Sequence, residues 1–170
     1  FTDQAEPEEV MELLHVFHAS MGQLVLDHGG TLERFAGDSV MVFFNDPVEI
    51  ERPAEAAVRM ALAMQAAFPP LGEQWRKRGY DLGLGCGVAQ GYATLGQIGF
   101  EGRWDYAAIG SVTNLAARLC SEAAGGQVLV DRKTMARVEE LVLAQSAGPL
   151  TLKGFAQPMP AFHVTGLRKA

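Results

Sequence analysis

Four side chains stand out for their chemistry: Asp38 between two apolar runs in LERFAGDSVMVFFNDP, Asn114 and Arg118 in SVTNLAARL, and Lys153 in LTLKGF. A Gly-Asp pair makes a tight turn by itself, since glycine accepts positive φ and aspartate bonds its own backbone. The same carboxylate at a hairpin tip is a hard oxygen donor that suits magnesium or manganese. One carboxylate is an incomplete cation site, so a second acid or substrate phosphates would have to complete it. Asn114 and Arg118 are four apart and share one face of a helix. Local hydrogen bonding by the amide and a solvated guanidinium would explain that spacing. An amide and a planar guanidinium fork facing one anion would explain it equally. Lys153 reads either as a lysine that blunts an edge strand or as a cation aimed at a phosphate.

Other chemistry finds little support. The four histidines do not cluster, and His15 and His18 belong to the packing or surface of a helix. Cys86 and Cys120 give neither a disulfide framework nor a zinc spacing and read as buried free thiols. The glycines of YDLGLGCGVAQG do not open a helix, so they are no dinucleotide fingerprint. No serine or cysteine occupies a nucleophile elbow.

The elements that would position these residues follow from periodicity. Pro7, Glu8 and Glu9 suit a first helical turn, and Val10, Leu13, Leu14, Phe17, Met21, Leu24 and Val25 form one stripe, stopped by His28-Gly29-Gly30. Strands are predicted over 31–36 and 39–44, and a helix over 53–68, broken or kinked by Pro69-Pro70. In the next run Leu82, Leu84, Cys86 and Val88 alternate with glycines, which implies backbone approaching the glycine face closely. ATLGQIGFEGRWDYAAIG reads as an extended arm returning to the sheet, followed by a helix over 111–123 with Ser111 as its N-cap. A strand over 127–130, a helix over 133–138 and strands over 150–153 and 161–164 complete the pattern. The pattern is one α+β domain, 1–170, with a mostly antiparallel sheet and helices packed on it.

A chain of 170 residues, 48% hydrophobic and 20% charged, has the composition of a globular domain. No run is long enough to span a membrane and no signal peptide is visible. The net charge of −6 argues against a nucleic-acid surface but permits a small anionic ligand held by local cations and a metal. A reducing cytoplasmic setting fits the cysteines.

In this order the stretches AEPEEVMELL, GGTLERFAGDSVMVFFNDP, GYATLGQIGFEGRWDYAAIGSVTNLAARL and LTLKGFAQPMPAFHV resemble the catalytic domain of bacterial class III nucleotide cyclases, the adenylate and guanylate cyclase family. The resemblance implies a ferredoxin-like βαββαβ-type fold whose first strand lies upstream of Phe1. It implies that Asp38 is the second of two metal aspartates, that Asn114 positions the ribose, that Arg118 stabilises the transition state and that Lys153 contacts the terminal phosphates. The first aspartate is expected in a strand before the first helix; Asp3 falls after that strand and is not assigned to the metal. Two Mg2+ or Mn2+ ions per site, a head-to-tail homodimer, regulatory domains elsewhere in the full-length chain and conversion of ATP to cyclic AMP and pyrophosphate are implied in the same way.

The base-reading pair departs from the family pattern. Arg34 stands where adenylate cyclases carry lysine and guanylate cyclases glutamate, and Ala107 stands where an Asp or Thr is expected. Arginine only donates hydrogen bonds, which suits the adenine N1 acceptor better than the protonated guanine N1. ATP is therefore the expected substrate and GTP the alternative substrate, and the alternative to catalysis is a non-catalytic nucleotide-binding or regulatory module on a cyclase scaffold. No GG[DE]EF-like turn supports a diguanylate cyclase.

Overall fold

The computed structural model describes residues 6–36, 38–101 and 103–168, with side chains other than those of 36, 98 and 103–107. The first helix, α1 (Pro7–Asp27), carries proline and two acids in its first turn and buries Leu13, Phe17, Met21 and Val25, a spacing of four that keeps them on one face. It ends in a Schellman motif: Gly29 takes φ 75°, its N–H donates to Leu26 O, and the Gly30 N–H donates to Val25 O at 2.9 Å. Strands β1 (Thr31–Ala36) and β2 (Ser39–Phe43) then form a two-stranded antiparallel ladder.

Helix α2 (Pro53–Arg76) continues through Pro69 and Pro70, where the sequence predicts a break or a kink. Tertiary burial overrides the lost backbone donors, because Gly72 and Trp75 beyond the prolines are buried, as Val58, Ala61 and Met64 are before them. Next come β3 (Cys86–Val88), β4 (Thr94–Phe100), β5 (Arg103–Ile109), α3 (Ser111–Glu122), β6 (Val128–Asp131), α4 (Arg132–Val138), β7 (Val142–Leu150) and β8 (Met159–Leu167). The expected arm is a separate β4–β5 hairpin, and the main sheet has the order β3-β6-β8-β7, with only β3 and β6 parallel. The α+β, mostly antiparallel expectation holds.

Strand β6 is buried on both faces, as its unbroken VLV run requires. Val128 and Val130 join Val58, Ala61, Val138, Val142 and Val164 on the α2 side. Leu129 joins Leu115, Leu119 and Leu152 on the α3 side. A third cluster, Phe17, Met21, Val25, Met60 and Met64, fixes α1 against α2 and the hairpin. Each fully buried side chain of this size contributes about 1.5–3 kcal/mol.

The glycine stripe performs its expected role. A Cβ on Gly83 would lie 2.8 Å from Gly125 Cα, and one on Gly85 2.9 Å from Ala123 O. At Gly87 it would collide with Cys120 N and Ala116 O. Backbone contact between β3 and α3 therefore sets where α3 lies. No helix among the described residues is long and apolar enough to cross a membrane.

Candidate active site

The site is built around α3. Its N-cap is Gly110, not Ser111, which is the first helical residue and makes no side-chain cap; instead the Thr113 hydroxyl donates to Gly110 O at 2.7 Å. Leu115 and Leu119 pin the helix to β6 and to Leu152. At about 100° per residue, Asn114 and Arg118 share the flank next to the leucines, where Asn114 is exposed and Arg118 half-buried.

Lys153 belongs to the same neighbourhood. It is exposed in a turn after β7, not in the expected strand over 150–153. Buried Leu152 anchors that turn in the leucine cluster of α3, and the Phe155 N–H closes it onto Leu152 O at 3.1 Å. The amide and guanidinium of α3 and the ammonium of this turn are thus carried by elements that pack through one leucine cluster, and as donors they suit phosphate oxygens.

Asp38 is exposed in the turn joining β1 and β2, with Ala36 paired to Ser39; its partner Gly37, like Asp3, lies outside the described residues. Its charge is felt at Cys120 of α3. Burial pushes the Cys120 thiol up, the Gly87 backbone opposes this, and the Asp38 carboxylate adds to the rise. Cys120 faces β3, donating to Gly85 O at 3.4 Å, although its residue surface is exposed rather than buried as expected. Cys120 lies about 140° around α3 from the Asn114–Arg118 direction.

Arg34 and Ala107 lie on neighbouring strands. Residue 33 forms a bulge in β1, since Leu32 pairs with Val42 and Arg34 with Met41. The Glu33 side chain reaches β5, where Oε2 accepts from the Ala108 N–H at 3.3 Å. Arg34 is exposed; the side chain of Ala107 lies outside those described, while its backbone pairs with Gly96. The sequence reading passed over Glu33. Its signal was there, because Leu32 and Phe35 are three apart and break the period-2 alternation of a regular strand.

As a metal ligand Asp38 fits in chemistry and falls short in number. Its oxygens are hard donors at an accessible tip, but among the described residues no three His, Cys, Asp or Glu side chains could hold an ion together. An open groove of about 510 Å³ between α2 and β8, lined by Leu62, Gln65, His163 and Thr165, contains none of these six residues.

An α+β fold of this order is that of a nucleotide cyclase catalytic domain. The family model described as the adenylate and guanylate cyclase catalytic domain matches residues 1–166, and the chain belongs to that family. The crystal structure of the adenylyl cyclase CyaB from P. aeruginosa superposes with a TM-score of 0.91 at 34% identity, covering 99% of this chain and 88% of that one. The guanylyl cyclase Cya2 superposes with a TM-score of 0.88 at 29% identity, covering 99% and 86%. Adenylate cyclase 1 of Rhizobium meliloti is 30% identical over 167 residues, 96% of this chain and 25% of the relative. The chain thus spans about a quarter of the length of the curated relatives it matches.

Proposed function

We propose that this chain is the catalytic part of an adenylate cyclase that works as a head-to-tail homodimer and converts ATP to cyclic AMP and pyrophosphate. What supports this reading is membership of the cyclase family, with Asp38 at an exposed hairpin tip outside any three-ligand cluster among the described residues, and with Asn114 and Arg118 on one flank of α3; a second copy in reversed orientation would bring the two halves together. In each site one subunit contributes Asp38, and its partner contributes Asn114, Arg118 and Lys153.

The ribose 3′-oxygen attacks the α-phosphorus, its proton is lost, and the bond to the β-phosphate bridging oxygen breaks. Asn114, both donor and acceptor, holds the ribose. Arg118 offsets charge developing on the α-phosphoryl oxygens, and Lys153 holds the terminal phosphates. Mg2+ or Mn2+, two ions per site, supplies Lewis acidity and lowers the pKa of the attacking hydroxyl when bound. Asp38 is the ligand this chain offers to them, together with triphosphate oxygens. A cytosolic location suits ATP as substrate, and regulatory domains would occupy the remaining length that the relatives have.

Arg34 supports ATP over GTP, because it can serve adenine N1 but not the guanine N1–H. The test is product analysis of the intact protein with manganese and either nucleotide. Cyclic AMP is the expected product, and Asp38→Ala abolishes it while the fold remains. Turnover that survives Asp38→Ala refutes the metal assignment.

A further inference from the structure

On that reading, the base pocket lacks a partner. An adenine edge offers an acceptor at N1 and a donor at the 6-amino group, whereas Arg34 only donates and Ala107 carries no polar side chain. A desolvated amine left without an acceptor costs binding and erodes specificity. Glu33 lies beside both positions. It precedes Arg34 in β1, the bulge re-aims its side chain, and it bonds the backbone of the residue that follows Ala107. Glu33 is half-buried and therefore reachable. Oε2 is engaged by the Ala108 N–H at 3.3 Å, and among the described residues Oε1 has no hydrogen-bond partner.

We infer that Glu33 supplies from β1 the base-reading carboxylate that β5 lacks at Ala107, so that Glu33 and Arg34 form the acceptor–donor pair for the purine edge. The acid has moved to the neighbouring strand, and the bulge makes the move possible. This inference rests on the cyclase reading above, and the experiment separates the two.

Glu33→Gln keeps a carbonyl oxygen for the Ala108 N–H but turns an NH2 group toward the base. Calorimetry of the intact protein with non-hydrolysable ATP and GTP analogues and magnesium gives a Kd ratio without requiring turnover. The ATP-to-GTP Kd ratio of the unsubstituted protein changes by about 10-fold or more in Glu33→Gln, with an unchanged melting temperature. Adding Ala107→Asp to that variant returns the preference toward its starting value, because an acceptor is again available on β5. A Glu33 that only braces β1 against β5 predicts the original ratio in Glu33→Gln, and that result overturns the inference. So does a change in the ratio that merely tracks a fall in melting temperature. A protein that binds both analogues with the expected ratio change but forms no cyclic nucleotide upholds the role of Glu33 and refutes catalysis. A protein that binds neither analogue refutes both.

Discussion

Mixing Asp38→Ala chains with Arg118→Ala chains should restore activity that neither has alone. The prediction comes from the head-to-tail reading. Asp38 is carried by the β1–β2 turn, while Asn114 and Arg118 are carried by α3. One α-phosphate needs the Asn-Arg donors against its oxygens and a metal-binding carboxylate beside them, and the reading takes these from different copies. A two-fold dimer has two equivalent sites, each made from one Asp38 and the other subunit's Arg118. Equal mixing gives about half heterodimers, each with one intact site and one doubly damaged site, so recovery is about a quarter of the unsubstituted activity. The assay is chromatographic detection of cyclic AMP at saturating manganese and ATP, after exchange of subunits. A chain carrying both substitutions is the control and should rescue neither single variant. Activity of the mixture that stays at the mean of the two variants refutes the two-copy site.

Further outcomes can be measured on the same protein. Arg118→Ala should lower kcat by about 10²–10³, and Arg118→Lys should recover little, since an ammonium lacks the planar fork; near-normal kcat in either variant would exclude a transition-state role. Gly87→Ala places a methyl against the α3 backbone and should cost about 1–3 kcal/mol, read as a lower Tm. Gly96→Ala, with nothing within 4 Å of the new methyl, is the neutral control. Burial, with a smaller contribution from Cys120 and against a lowering hydrogen bond from Gln65, pushes the Cys86 thiol up from 9.0 to about 12. Its pKa is higher folded than unfolded, so between these values the unfolded chain holds fewer protons and stability falls as pH rises. The slope is at most about 1.4 kcal/mol per pH unit. Denaturant titrations from pH 7 to 11 should show a flat region and then this decline, reduced in Cys86→Ala; an equal slope in that variant would assign the titration elsewhere.

What the sequence made legible was whatever short-range periodicity encodes. The α1 stripe, the β1–β2 hairpin and the glycine face of β3 all follow from spacing and turn chemistry, and the Asn114–Arg118 face follows from a helix of known phase. The misses have tertiary causes. The prolines of α2 read as a break or a kink because propensity is local, whereas the burial of Trp75 that carries the helix onward is not. Strand β7 lies in LVLAQSAGPL, where Ser146 and Gly148 mark an irregular register against β8 rather than a clean alternation. Placing a strand over 150–153 therefore caught only its last residue and gave Lys153 an edge-strand role it does not have. Cys120 faces a packed strand yet keeps exposed surface, a distinction helical phase alone does not make.

The glycine stripe and the altered base pair bear on one question, namely how finely this site is positioned. Because β3 touches α3 backbone to backbone, α3 has no side-chain layer in which to shift, and Asn114 and Arg118 inherit that rigidity. Base recognition has no such anchor. It depends on a two-stranded hairpin whose Glu33 side chain reaches β5 through a hydrogen bond of 3.3 Å. On the proposed reading, the half of the site that would face phosphate is fixed by close packing, and the half that would face the base hangs on a bulge and a polar contact. Substitutions around residues 33 and 34 should change which nucleotide is chosen more readily than whether phosphoryl chemistry occurs. Substitutions along the glycine face of β3 should do the reverse, lowering turnover of both nucleotides together.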